Sequence, residues 1–254
     1  MNIKAKAKAI VLDLDGTLLH SDGSISQRTL TVLQECKIRG ITIVVATTRF
    51  WFKAKKYLDI IELDYAILAD GTQIYRNGTM IYGFPMDVPQ SNGILHGMLQ
   101  RHNKTEIVVS IGQELLCSAS GINESWRRSF DFAEPLIEPI YKIAAIMNAY
   151  SEASALAEKF FCRLYSYRGE NLYGFTSKEA GKYQAVRMLG EILQIDLQEM
   201  ISFGDDENDY ELLKYCGKGV AVSNAIPEIK NIADEITDSN DNDGVAEWLE
   251  RYCL

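Results

Sequence analysis

Asp13-Leu14-Asp15-Gly16-Thr17 is the stretch on which the reading of this chain turns. It follows the apolar run Ala9-Ile10-Val11-Leu12 and precedes Leu18-Leu19. A short continuous apolar run, as opposed to an alternating one, predicts a strand buried on both faces. Two carboxylates two residues apart therefore stand where a buried strand ends. Alone, Asp-x-Asp is most often a turn, so its meaning depends on what the rest of the chain brings to it.

Outward from that point the chain alternates. Ser24 or Ser26 can cap a helix that carries Leu30, Val32, Leu33 and Cys36 on its apolar side and stops at Gly40. The β-branched run Ile41–Ala46 predicts a second buried strand, with Thr47-Thr48-Arg49 at its end. A helical pattern over 51–61 leads to a third strand, Tyr65–Leu68, which ends at Asp70-Gly71. Asn77-Gly78 between Ile74–Arg76 and Met80–Tyr82 is a hairpin signal. From Phe84 to about Phe175 the rhythm changes. A helix is expected over 90–101, then strands at Glu106–Ile111 and Glu114–Ala119 and a Trp/Arg-bearing stretch at 122–134. A strand at Tyr141–Met147, a helix at Glu152–Phe161, and strands at Arg163–Tyr167 and Leu172–Phe175 follow. Alternation resumes with a helix at Lys182–Leu193 and a strand at Met200–Phe203, which runs into Gly204-Asp205-Asp206-Glu207-Asn208-Asp209. The expectation is an α/β core with a Rossmann-like parallel sheet, built from residues 1–83 and 176–254. An α+β domain, residues 84–175, is inserted into it.

The chain has 254 residues, 47% of them hydrophobic, and a formal charge of −9. That balance argues against a nucleic-acid binder, which needs a basic surface. The five cysteines are scattered without CxxC or Cys/His ligand spacing, so neither a zinc site nor a disulfide framework is indicated, and a cytoplasmic setting fits. The apolar run before Asp13 is too short for a signal sequence or a membrane span. His20, His96 and His102 form no cluster in the sequence and read as loop or surface residues.

In open parallel sheets, ligands bind beyond the carboxyl ends of the strands. Asp13 and Asp15, Thr47, Asp70, and Asp205 and Asp209 all occupy such ends. Carboxylates gathered this way repel one another unless a hard divalent cation joins them, and Mg²⁺ is the usual ion where phosphate supplies further oxygens. Unaided phosphate monoester hydrolysis asks a catalyst for roughly 20 kcal/mol. A carboxylate nucleophile divides that barrier, and a second carboxyl can protonate the leaving oxygen and then activate water. Asp13 and Asp15 suit those two tasks, and Gly16 permits the turn between them. Thr47 can donate its hydroxyl to a phosphoryl oxygen. A lysine should balance the developing charge, Lys182 first and Lys178 second. For the acidic run 205–207 taken alone, capping the next helix is the plainer role.

Asp13-Leu14-Asp15-Gly16-Thr17-Leu18 resembles the first motif of the haloacid dehalogenase (HAD) superfamily, and Gly204–Asp209 resembles the last motif of its Cof-type branch, subfamily IIB. Val220–Ala225 and Asp243–Ala246 resemble the same branch, as does the place of the insert, which matches a C2-type cap. The resemblance implies Asp13 as nucleophile and Asp15 as acid/base. It implies Mg²⁺ held by Asp13, the Asp15 carbonyl and Asp205, with Asn208 and Asp209 in support, and phosphate held by Thr47 and Lys182. It further implies a phosphatase for a small phosphorylated metabolite, sugar phosphates included, with a cap that closes to exclude water and read the leaving group. Three positions depart from the family pattern. Thr48 replaces a glycine, Asp70 an asparagine, and Tyr183 the glycine after the lysine.

A phosphomutase on the same scaffold, a receiver-like signalling domain and a catalytically silent phosphate- or metal-binding regulator are the competing functions. A receiver does not need two acids at its first strand or an insert of about ninety residues.

Overall fold

The computed structural model describes residues 7–101, 106–118, 126–167 and 171–254. His102, Ala119 and the start of the 122–134 stretch lie outside the described residues. In chain order the elements are β1 (Ala9–Leu12), α1 (Gln27–Ile38), β2 (Thr42–Ala46), α2 (Trp51–Ile61), β3 (Tyr65–Leu68), β4 (Gln73–Arg76) and β5 (Thr79–Gly83). Then come α3 (Val88–Arg101), β6 (Ile107–Ile111), β7 (Glu114–Cys117), β8 (Arg127–Ser129), β9 (Lys142–Ile146), α4 (Tyr150–Lys159), β10 (Arg163–Ser166) and β11 (Leu172–Thr176). The chain finishes with α5 (Lys182–Leu193), β12 (Met200–Gly204), α6 (Tyr210–Tyr215), β13 (Lys218–Val222), α7 (Pro227–Ile232), β14 (Glu235–Thr237) and α8 (Gly244–Tyr252). The chain divides into two units: Met1–Arg49, Lys53–Ile81 and Gly181–Leu254 form the first, Phe50–Phe52 and Tyr82–Ala180 the second.

The first unit is an eight-stranded sheet in the order β14-β13-β12-β1-β2-β3-β4-β5. β1 lies between β12 and β2 and is parallel to both, with Leu12 level with Phe203 on one side and Val45 on the other. All four residues of β1 are buried, as a strand covered on both faces requires. The chain moves outward from β1 through β2 and β3, then returns on the opposite side as β12. That reversal of direction beside β1 is the place where a doubly wound sheet opens a crevice. Ser26 is the residue that caps α1, accepting from Thr29 N at 3.0 Å. The β4–β5 turn has positive φ at both Asn77 (48°) and Gly78 (75°), the geometry that an Asn-Gly hairpin turn needs.

The second unit is a six-stranded sheet, β10-β11-β9-β6-β7-β8. Its pairs are antiparallel except for β7 and β8, which run parallel. β8 falls within the stretch that the sequence left without a strand. Its three residues, Arg127-Arg128-Ser129, carry no apolar alternation. The core of this unit joins Ile94, Leu95 and Met98 of α3 to Val109, Ile143 and Phe175 of the sheet and to Ala153 and Leu156 of α4. Gly93 and Gly97 let α3 approach Phe160 and Leu156 where a side chain would collide. That close approach explains two glycines in a helix interior, where each lowers helix stability.

Candidate active site

β1 ends at Leu12, so Asp13 is the first residue beyond the strand, and its N–H still donates to Phe203 O of β12 at 3.2 Å. Its carboxylate is buried and accepts from Lys182 Nζ at 2.6 Å. The same ammonium donates to Asp209 Oδ1 at 2.7 Å. Lys182 opens α5, and its approach depends on Gly71. Gly71 has φ +81°, and any Cβ there would run into the backbone of Gly181 and Lys182. Asp70-Gly71 is therefore a turn against which the start of α5 is seated, and Asp70 itself is buried.

On the other side of β1, the six residues from Gly204 divide their work. Asp205 accepts from Thr17 Oγ1 at 2.8 Å. Asp206 caps the short turn 207–209, accepting from Glu207 N at 2.9 Å. Asp209 is fully buried, and its Oδ2 accepts from the amides of Asp205 (3.2 Å) and Asp206 (3.4 Å). Gly204 can carry no side chain because Asp209 occupies that space. The helix-capping role read for this run thus belongs to Asp206.

Asp13, Asp205 and Asp209 each place a carboxylate oxygen within 4.8 Å of the others. Burial raises the Asp13 carboxyl well above the usual carboxylate range; Lys182 opposes this, and the charges of Asp209 and Asp205 add to it. Asp205 is pushed up to about 7, by burial first and then by Asp209, with the Thr17 hydrogen bond acting in the other direction. Burial works against the Lys182 ammonium, but Asp13 and Asp209 outweigh it and raise its pKa. Three acids thus face one ammonium. A divalent cation fits this set by its chemistry: hard carboxylate oxygens, convergent and short of positive charge. Asn208 Oδ1 is a further oxygen, buried without a hydrogen-bond partner among the described residues.

Asp15 stands apart. Its side chain is about half exposed and accepts both prongs of Arg49, from Nε at 2.7 Å and Nη2 at 2.5 Å. Arg49 is a residue that sequence reasoning passed over, although it ends the Thr47-Thr48-Arg49 run. Thr47 lies at the end of β2, fully buried, and its Oγ1 accepts from Arg49 N at 3.2 Å. That contact leaves the hydroxyl hydrogen of Thr47 to donate elsewhere. Lys178 belongs to the second unit, with its Nζ 5.2 Å from the Phe161 ring centroid. Tyr183 packs its ring against Tyr215, with 5.2 Å between centroids. His20 is not an isolated loop residue: its Nε2 lies 2.9 Å from Asp243 Oδ1.

A family model described as haloacid dehalogenase-like hydrolase matches residues 10–249. The chain belongs to that family. Among curated relatives, the 5-amino-6-(5-phospho-D-ribitylamino)uracil phosphatase YitU of Bacillus subtilis is 25% identical over 98% of this chain and 99% of its own. A Haemophilus influenzae protein named as a phosphatase is 30% identical over 96% and 97%. The crystal structure of a haloacid dehalogenase-like hydrolase from Bacteroides thetaiotaomicron superposes with a TM-score of 0.84 at 26% identity, covering 97% of this chain and 99% of that one. The chain is thus a HAD-family hydrolase with curated relatives named phosphatases, and among the described residues no helix is long and apolar enough to cross a membrane.

The Gly71 contact gives a direct test of how this hydrolase seats its lysine. Gly71→Ala should lower stability by about 2 kcal/mol, because backbone must move to admit the methyl group. A urea denaturation curve indistinguishable from that of the unaltered chain would refute the packing account.

Proposed function

We propose that this HAD hydrolase is a Mg²⁺-dependent phosphatase of a small phosphorylated metabolite and acts through an aspartyl-phosphate on Asp13. The observation that carries the reading is the set of buried Asp13 and Asp209 and partly buried Asp205 around Lys182. A structural ion pair needs one carboxylate for one ammonium, whereas this arrangement leaves surplus negative charge where a phosphate must enter. Asp13 and Asp205 would hold the cation, with Asn208 beside them and Asp209 fixing the lysine and the loop amides. The bound ion supplies charge neutralisation for the phosphoryl oxygens.

The chain's own groups account for the remaining steps. Asp13 attacks phosphorus in line with the leaving oxygen, forming the acyl-phosphate bond as the ester P–O bond breaks. Asp15 gives its proton to that oxygen, then takes one from the water that attacks the phosphoenzyme. While it accepts both prongs of Arg49, Asp15 offers no proton, so its acid role requires it to leave the guanidinium. Lys182 and the Thr47 hydroxyl hold the phosphoryl oxygens. Since Lys182 is already tied to the nucleophile at 2.6 Å, binding phosphate and orienting Asp13 are one task.

The five free, buried cysteines suit a reducing cytoplasmic setting. Sugar phosphates are the first candidates for substrate, and the name of the Bacillus subtilis relative adds a phosphorylated ribityl chain to them.

Asp13→Asn should abolish phosphate release from any phosphate ester the chain turns over, and undiminished turnover would sink the nucleophile assignment. Asp15→Asn should form phosphoenzyme better than it turns over, as single-turnover quenching reads directly; equal loss of both steps would count against the acid/base role. Saturating MgCl₂ should stabilise the unaltered chain, by about 2.7 kcal/mol at a hundred times Kd. Thermal melts of Asp205→Asn should show most of that shift gone, and an equal shift in both proteins would place the ion elsewhere.

A further inference from the structure

The loop that presents Asp13 and Asp15 is bonded on its far side to two asparagines. Asn224, just beyond β13, donates from Nδ2 to Gly16 O at 2.7 Å. Its Oδ1 accepts from Asn240 N at 3.0 Å. Asn240, just beyond β14 and itself buried, donates from Nδ2 to Leu19 O at 2.8 Å. Each amide end of Asn224 therefore meets a group of the opposite kind, which fixes its orientation. The seam continues with Ser21, whose N and Oγ each donate to Asp241 at 2.7 Å.

Gly16 is where such a hold matters. Its φ is +79°, so the loop passes through a conformation open mainly to glycine, and a Cβ there would sit 2.5 Å from Asp205 Oδ2. The next residue, Thr17, bonds Asp205 through its hydroxyl. The preceding residue, Asp15, bonds Arg49 through its side chain and pairs with Leu19 in an isolated backbone bridge. The Gly16–Thr17 peptide thus joins the acid/base residue to a residue on Asp205. Asn224 pins its carbonyl.

We propose that Asn224, backed by Asn240, is a positioning residue for phosphoryl transfer: it clamps the Gly16 carbonyl and so fixes the backbone from which Asp15, once released by Arg49, reaches the leaving oxygen. The proposal rests on the reading of Asp13 and Asp15 as the reacting carboxylates. Asn224 does not touch the reacting atoms. It acts through the peptide next to Asp15, so its loss should slow the proton-transfer steps and leave phosphate binding, which Thr47 and Lys182 perform, almost unchanged.

The test uses the full chain with Asn224→Ala and Asn224→Asp. The aspartate keeps the oxygen that faces Asn240 N but has no N–H for Gly16 O, and both substitutions are at an exposed side chain that folding should tolerate. With Mg²⁺ and an aryl phosphate, kcat should fall about tenfold to a hundredfold in both variants while KM stays within about twofold. Amide hydrogen exchange at Leu18 and Leu19, whose N–H groups bond Leu14 O, should speed up in both. An unchanged kcat overturns the proposal. So does a loss of kcat that follows a fallen melting temperature and disappears when the assay is cooled. If the unaltered chain turns over no phosphate ester, the proposed function fails separately. Exchange then decides the clamp alone: faster exchange upholds it as the holder of this loop, and unchanged exchange overturns it.

Discussion

Lys182 is held between Asp13 and Asp209, and little else at the site could stay as it is without that link. An ammonium buried this deeply is costly unless carboxylates surround it, and removing a partner from such a pair is strongly destabilising. The demand works in both directions. Asp13 is kept close to the ammonium, at a fixed distance from the strand end that carries it. Asp209 is kept at the floor of the Gly204–Asp209 loop, with its second oxygen bonded to the amides above it. The lysine lies 169 residues from one partner and 27 from the other, so it ties the first strand of the sheet to the last third of the chain.

Two glycines make room for this arrangement, for different reasons. Gly71 allows the Asp70 turn to lie on the backbone that starts α5, which brings Lys182 to the sheet edge. Gly204 vacates the space that Asp209 fills. The departures from the family pattern can be judged against these contacts. Asp70 replaces a side chain but leaves the glycine that α5 needs. Tyr183 turns its ring onto Tyr215 and leaves Lys182 in place. Thr48 sits between a buried Thr47 and an Arg49 whose amide bonds the Thr47 hydroxyl, so its neighbours keep their contact with each other.

The sequence carried the placement of the candidate residues well where chemistry and chain position coincide. Asp13 follows an apolar strand, Thr47 follows a β-branched one, and Asp205 follows a third, so strand ends in a parallel sheet pointed to them directly. The Asn77-Gly78 hairpin was equally legible, because its turn dictates its residues. Arg49, Asn224 and Asn240 were not. Arg49 and Asn224 stand within motif stretches and Asn240 beyond them, and each finds its partner between 16 and 221 residues away. Local periodicity has no means to report such pairings. β8 was missed because three polar residues on an edge show no alternation. His20 does lie in a loop, but its partner Asp243, 223 residues distant, was not legible.

The acidic run 205–209 shows why composition and role can separate within one turn of chain. Capping and metal binding are competing explanations if the run is treated as one feature. Side-chain contacts distinguish the residues one by one. Asp206 turns forward along the chain and satisfies the amide of Glu207, a task any capping acid performs. Asp209 uses both oxygens internally, one on Lys182 and one on the loop amides, so it serves the architecture first. Asp205 bonds only Thr17 through one oxygen among the described contacts and is raised to about 7 by burial and by Asp209. Of the three, it has the most to gain from a cation, because it has the least internal compensation for its charge. Charge balance therefore ranks these acids more sharply than their order in the sequence, and it makes Asp205, together with Asp13, the place where an ion's affinity would be set.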